Sequence, residues 1–198
     1  MIHRFGLWAI APLALLSMAV TAQAASLQYT AVMDGPSESP ANGSPGTGFG
    51  QVDIDTVAHT MRVQVSFSGL TGTTTASHIH AATAVAGTGT AGVATQTPTF
   101  TGFPLGVTSG SYDHTFDTTD TATWNSSFVT ASGGTAAGAE SALFSALAAD
   151  NAYLNIHSST FGGGEIRGFL VLVPEPASGA ILGAGGLFAM GARRRRIR

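Results

Sequence analysis

Histidine is the residue that brings chemistry to this sequence, which has six of them and no cysteine. His78 and His80 stand two apart around Ile79, and His157 closes a run in which Leu154 and Ile156 alternate with Tyr153, Asn155 and His157. Residues two apart in a strand share a face. With both apolar phases turned to a core, all three imidazoles fall on outer faces, and they converge if the two strands are neighbours. Three neutral imidazoles at one spot suit copper or zinc, with water, His114 or a carboxylate in the fourth position. The same spacing also describes a polar strand face whose rings bond to backbone or to each other, and the residues alone leave both readings open. His59 reads as a solvated turn residue. Glu165 and Arg167 read as a same-face ion pair of little energetic weight. No catalytic residue is assigned: serines abound, but no nucleophile-elbow pattern frames one. The Gly-rich loops lack the strand, helix and lysine of a phosphate cradle.

The elements that must position these histidines are short strands. Ser26 to Met33 alternates, with Leu27, Tyr29, Ala31 and Met33 on one face. Asp34 to Gly48 carries Pro36, Pro40 and Pro45 and cannot be a central strand. Phe49 to Asp55 and Thr60 to Ser68 predict a hairpin, the second strand turning Met61, Val63, Val65 and Phe67 inward. Further strands are predicted at Ala76 to Ala81, Ser111 to Phe116, Ala152 to His157 and Glu165 to Val171, the last two joined by Gly162-Gly163-Gly164. Ala82 to Thr97 reads as a long loop with a short edge strand at Gly92 to Thr95, and Thr121 to Val129 fits neither template. Ala136 to Ala149 has helical spacing, no proline, and Leu143, Phe144 and Leu147. Short strands separated by turn signals predict a mainly β fold, an antiparallel β-sandwich or barrel of immunoglobulin-like or superoxide-dismutase-like type with one short helix.

Both ends read as sorting sequence. Residues 1–25 form a secretory signal: Arg4, an apolar run from Phe5 to Val20, and the small-residue site at Ala22 and Ala24, with cleavage after Ala24 or Ala25. Residues 173–198 hold Pro174-Glu175-Pro176, an apolar stretch of membrane-spanning type from Ala177 to Ala192, and Arg193, Arg194, Arg195, Arg196 and Arg198. Terminal arginines retain that end in the cytoplasm and place the domain outside. This ending resembles the PEP-CTERM sorting signal of Gram-negative bacteria, which implies passage through the secretion machinery, transient anchoring in the inner membrane and processing by an exosortase.

Between the ends lie residues 26–172, a single domain. Its only basic side chains are Arg62 and Arg167, set against ten acids for a formal charge of −8. A domain that acidic has no electrostatic footprint for nucleic acid. With 10% charged residues against 44% apolar, and no disulfide available, stability must come from packing.

Four strings, Gly69-Leu70, Ser77-His78-Ile79-His80-Ala81, Ala152-Tyr153-Leu154-Asn155-Ile156-His157-Ser158 and Gly164-Glu165-Ile166-Arg167-Gly168, resemble in order and spacing the CHRD domain, a module named from chordin and found in bacterial exported proteins. Glu38-Ser39-Pro40 stands where that family has its Glu-x-Pro. The resemblance implies a β-sandwich-like extracellular module and names no reaction. The order Gly-Leu, His-x-His, Gly-rich loop, strand ending in His and closing Gly-x-x-x-Gly strand is also similar to the copper-ligand order of Cu,Zn superoxide dismutases. That likeness places His78, His80 and His157 at three copper-ligand positions, while the disulfide cysteines and the zinc loop of those enzymes have no counterpart. The first expectation is thus a non-enzymatic binding or structural module at the cell surface or in an exopolysaccharide matrix. The second is a copper-binding or redox protein.

Overall fold

The computed structural model describes residues 26–174. The strands are β1 (Ser26–Asp34), β2 (Thr47–Asp55), β3 (Thr60–Ser68), β4 (Thr74–His80), β5 (Gly110–Asp117), β6 (Tyr153–Ser158), β7 (Ile166–Phe169) and β8 (Val171–Leu172). Two helices, α1 (Ser126–Ala131) and α2 (Ala136–Ala148), follow a 3₁₀ turn at Thr121–Thr123. All strands join one sheet in the order β4-β6-β7-β1-β2-β3-β5, with β8 pairing β1, and every pairing is antiparallel. The sheet curls into a half-barrel and packs its concave side against helix and loop, rather than dividing into two stacked sheets.

The hairpin of β2 and β3 forms as its pattern predicts. Met61, Val63, Val65 and Phe67 are buried while Arg62 and Ser66 are exposed. Asp55 closes the turn by accepting from the backbone of Val57 at 2.9 Å and Ala58 at 2.8 Å. On β1 the predicted face is the buried one, with Tyr29, Ala31 and Met33 in the core. The strand runs beside β7 closely enough that a Cβ on Gly168 would meet the Val32 carbonyl, so glycine is required there.

Helix α2 fills the curl. Thr135 caps it, its hydroxyl accepting from Gly138 N at 3.1 Å, and Ala139, Leu143, Ala146 and Leu147 form its buried stripe. Each buried leucine contributes about 1.5–3 kcal/mol through area removed from water. Phe100, Phe103 and Trp124, from the connections outside the strands, complete the core with Ile79, Leu154, Ile156 and Ile166.

Two expectations are corrected. The stretch from Thr121 to Val129 folds as the 3₁₀ turn and the start of α1, capped by Asn125, so the described domain has two helices rather than one. The face of β4 and β6 opposite the core is not a solvent face: His78 and His80 are buried, and His157 is half-buried. The connection from Ala81 to Ser109 runs along the free edge of β4 and brings the carbonyls of Ala91 and Pro98 onto that face. The expected signal and membrane-spanning segments, with Ala22, Ala24, Glu175, Pro176 and Arg193 to Arg196, lie outside the described residues. Among the described residues no helix is long and apolar enough to cross a membrane.

Candidate metal centre

Strands β4 and β6 are hydrogen-bonded neighbours, with His80 opposite Tyr153, His78 opposite Asn155 and Ala76 opposite His157. The register places His78 and His80 in sequence along one strand and His157 diagonally across from His78, all on one face. Ring centroids are 5.8 Å apart for His78 and His80, 5.3 Å for His78 and His157, and 6.0 Å for His80 and His157. One nitrogen from each ring lies within 4.8 Å of the others.

Each ring is also anchored by its second nitrogen. His78 Nε2 is 2.7 Å from the Pro98 carbonyl, His80 Nδ1 3.0 Å from that of Ala91, and His157 Nδ1 2.9 Å from that of Gly162. A carbonyl only accepts, so each of these nitrogens carries the proton and donates. The lone pairs then reside on His78 Nδ1, His80 Nε2 and His157 Nε2, all of them buried without a hydrogen-bond partner. Burial holds all three imidazoles below their ordinary pKa, and His80 falls to about 4. At neutral pH the rings are therefore uncharged, the state a metal ligand requires.

Backbone-anchored imidazoles with free lone pairs are the arrangement by which proteins orient histidine toward a metal. An ion bound at about 2.0–2.1 Å from three nitrogens holds them about 3.3–3.6 Å apart. The set, now within 4.8 Å, would close by up to about 1.5 Å to share one ion. Three uncharged nitrogen donors, with no carboxylate or thiolate among them, fit copper or zinc and not calcium or magnesium. Among the described residues no carboxylate joins the group and His114 does not reach it. His114 stands on β5, opposite Val63, with its ring between those of Tyr112 and Phe116. His59 is half-exposed at its turn but not simply solvated: its Nδ1 lies 3.0 Å from Glu140 on α2.

A model of the CHRD domain matches residues 29–170. The chain belongs to the CHRD domain family. No curated protein and no solved structure matches it significantly.

The short strings by which a CHRD domain is noticed surround the three histidines with a buried polar layer. Arg167, directly across from Asn155, donates through Nε to the Ser37 carbonyl and through Nη1 to that of Gly89 at 2.9 Å. Its guanidinium carbon is 4.8 Å from the centre of the Tyr153 ring. Tyr153 in turn stacks on His80, centroids 4.8 Å apart and planes 6° from parallel. Arg167 does not form the ion pair with Glu165 that the spacing predicts. Its nearest carboxylate is Glu38 of the Glu-x-Pro string, at 3.9 Å and equally buried. Glu165 faces elsewhere, accepting from Ser44 Oγ at 2.6 Å, from Thr71 N and from Gly72 N at 3.2 Å.

In this CHRD domain, then, Glu165 ties three loops together while Arg167, Glu38, Asn155 and Tyr153 support the histidine site. Sequence patterning put Tyr153 and Asn155 on the strand face of His157 but marked neither Arg167 nor Glu38 as a neighbour of the site. The signal was present in Ser77-His78-Ile79-His80-Ala81: an alternating strand whose polar phase holds imidazoles and whose surroundings are apolar is covered on both faces.

Proposed function

We propose that this CHRD domain is an exported, non-enzymatic binding module whose ligand is a copper ion held by His78, His80 and His157. One observation carries the reading. Two buried imidazoles and one half-buried one, on adjacent strands, each donate one proton to a backbone carbonyl and leave the other nitrogen buried and unpartnered. An unpartnered buried acceptor costs about 1–3 kcal/mol, and a polar strand face with mutually bonded rings would not incur that cost three times. For the fold, one curled antiparallel sheet with His78, His80 and His157 on adjacent strands favours a barrel of superoxide-dismutase-like type over a two-sheet immunoglobulin-like sandwich.

The test is a titration of the full-length protein with Cu²⁺ beside His80→Ala. One equivalent bound at micromolar or tighter affinity, weakened at least about 100-fold in the variant, is the expected result, since second-sphere changes alone cost 10–100-fold. Equal and weak binding by both proteins would sink the reading.

Sorting is proposed on the sequence of the two ends. The leader is removed by the secretion machinery, and the Pro174-Glu175-Pro176 tail is handled by an exosortase at the inner membrane. The protein is then delivered to the cell surface or an exopolysaccharide matrix. In support, the described domain is held by a backbone bond right up to the motif, Val173 N donating to Gln28 O at 2.8 Å immediately before Pro174. Deleting Pro174 to Arg198 should release the protein from the surface fraction into the medium or periplasm. Unchanged surface attachment would contradict the sorting role.

A further inference from the structure

Five buried side-chain polar atoms among the described residues have no hydrogen-bond partner, and four of them lie on the face shared by β4 and β6. Three are the imidazole nitrogens of the metal centre. The fourth is Asn155 Oδ1. Asn155 is 2% exposed, lies two residues before His157 on the same strand face, and pairs across the sheet with His78 on one side and Arg167 on the other.

The orientation of its amide is set from outside the metal centre. Asn155 Nδ2 donates to Glu38 Oε1 at 2.7 Å. Gly164 backs the amide so closely that a Cβ there would strike both Asn155 Nδ2 and Glu38 Oε1. Glu38 is itself held beside Arg167, which is bound to Ser37 and Gly89. With the NH₂ end engaged by Glu38, the oxygen is left as a buried, unpartnered acceptor on the strand face that carries His78, His157 and Arg167.

A cation satisfies lone pairs on three nitrogens. A carbonyl oxygen beside it needs either the cation itself or a hydrogen. We infer that the site takes its ion together with one water, whose O–H donates to Asn155 Oδ1 in the position the three imidazoles leave open. Asn155 is thus a positioning residue, and the centre is of the ligand-exchanging kind, with an open place, rather than a closed structural one. Small anions that displace water from copper, azide among them, are the chemical class that would occupy the same place. This inference rests on the copper reading above and adds the fourth position to it.

The experiment uses full-length protein loaded with one Cu²⁺. Electron paramagnetic resonance in ¹⁷O-enriched water should show the line broadening of one bound water in the wild type, and azide should remove it. In copper-loaded Asn155→Ala, water-proton relaxation should report exchange faster by about tenfold, the effect of losing one hydrogen bond. Copper bound by wild type without ¹⁷O broadening overturns the inference, since Asn155 Oδ1 or another protein atom would then fill the fourth position. Unchanged exchange in Asn155→Ala also overturns it. Should that variant not fold, Asn155→Ser serves in its place, and the wild-type broadening decides independently. Failure of the wild type to bind copper at all is a different result, and it overturns the copper reading along with this one.

Discussion

Glu165 and Arg167 show how two charged residues of one short string are put to separate uses once the chain is folded. Ile166 between them is a core residue, and the side chains on either side are both buried. Burial alone would raise the carboxyl of Glu165, but hydrogen bonds from Ser158, Ser44 and the backbones of Thr71 and Gly72 hold it below the usual carboxylate range. Its partners belong to the loops before β2 and before β4 and to the end of β6, so its energetic role is to fasten those loops and that strand end to the start of β7. Glu165→Gln keeps the size and one oxygen but sets an NH₂ group against N–H and O–H donors, leaving at least one buried donor unsatisfied. The expected cost is about 1–3 kcal/mol for each donor stranded, read as a lower urea midpoint with an unchanged slope. A change under about 0.5 kcal/mol would show that the loops are fastened by other contacts.

At the scale of elements, what could be read from the sequence was whatever resides in side-chain alternation. β1, β3 and α2 follow their apolar patterns, and the phases of β4 and β6 put the three imidazoles on one face, because a period of two fixes which residues share a face. Alternation distinguishes two faces without saying what covers either. The connection from Ala81 to Ser109 is the missing information. It contributes to the site through the carbonyls of Gly89, Ala91 and Pro98, and backbone atoms leave no mark in a string of Gly, Ala and Thr. The same limit explains Glu38 and Arg167. Their sequence separation is large, and the loop that joins them does so through Ser37 O and a carboxylate whose path no periodicity describes. The helix α1 was missed for a simpler reason: at six residues it is too short for periodicity to show, and its Asn125 cap is the clearest sign of it.

For the whole molecule, burying a polar layer beside the core makes stability depend on pH in a direction that can be worked out. Free histidine titrates near 6.5, while in the fold burial lowers all three site imidazoles, His80 to about 4. Below about 6.5 the unfolded chain therefore binds protons that the native rings refuse. Their contribution is present above that pH and lost as pH falls toward about 4. Glu38 acts in the opposite sense. Burial outweighs Arg167, the Ser39 backbone and Asn155 and raises its carboxyl to about 7, so its contribution is present at low pH and lost as pH rises through about 7. Carboxylates held low, such as Asp113 and Glu165, enter only below about 4.3. Three groups against one leave the histidines dominant between about 4.5 and 6.5. The urea midpoint of the metal-free protein should accordingly fall on acidification across that window, and bound copper should move the fall to lower pH by holding the rings unprotonated. Glu38→Gln removes the opposing contribution and should steepen the fall. A midpoint flat across the window, or a shallower fall in Glu38→Gln, would mean that the three rings and this carboxyl titrate as if exposed, and the buried polar layer would not be a feature of the protein in solution.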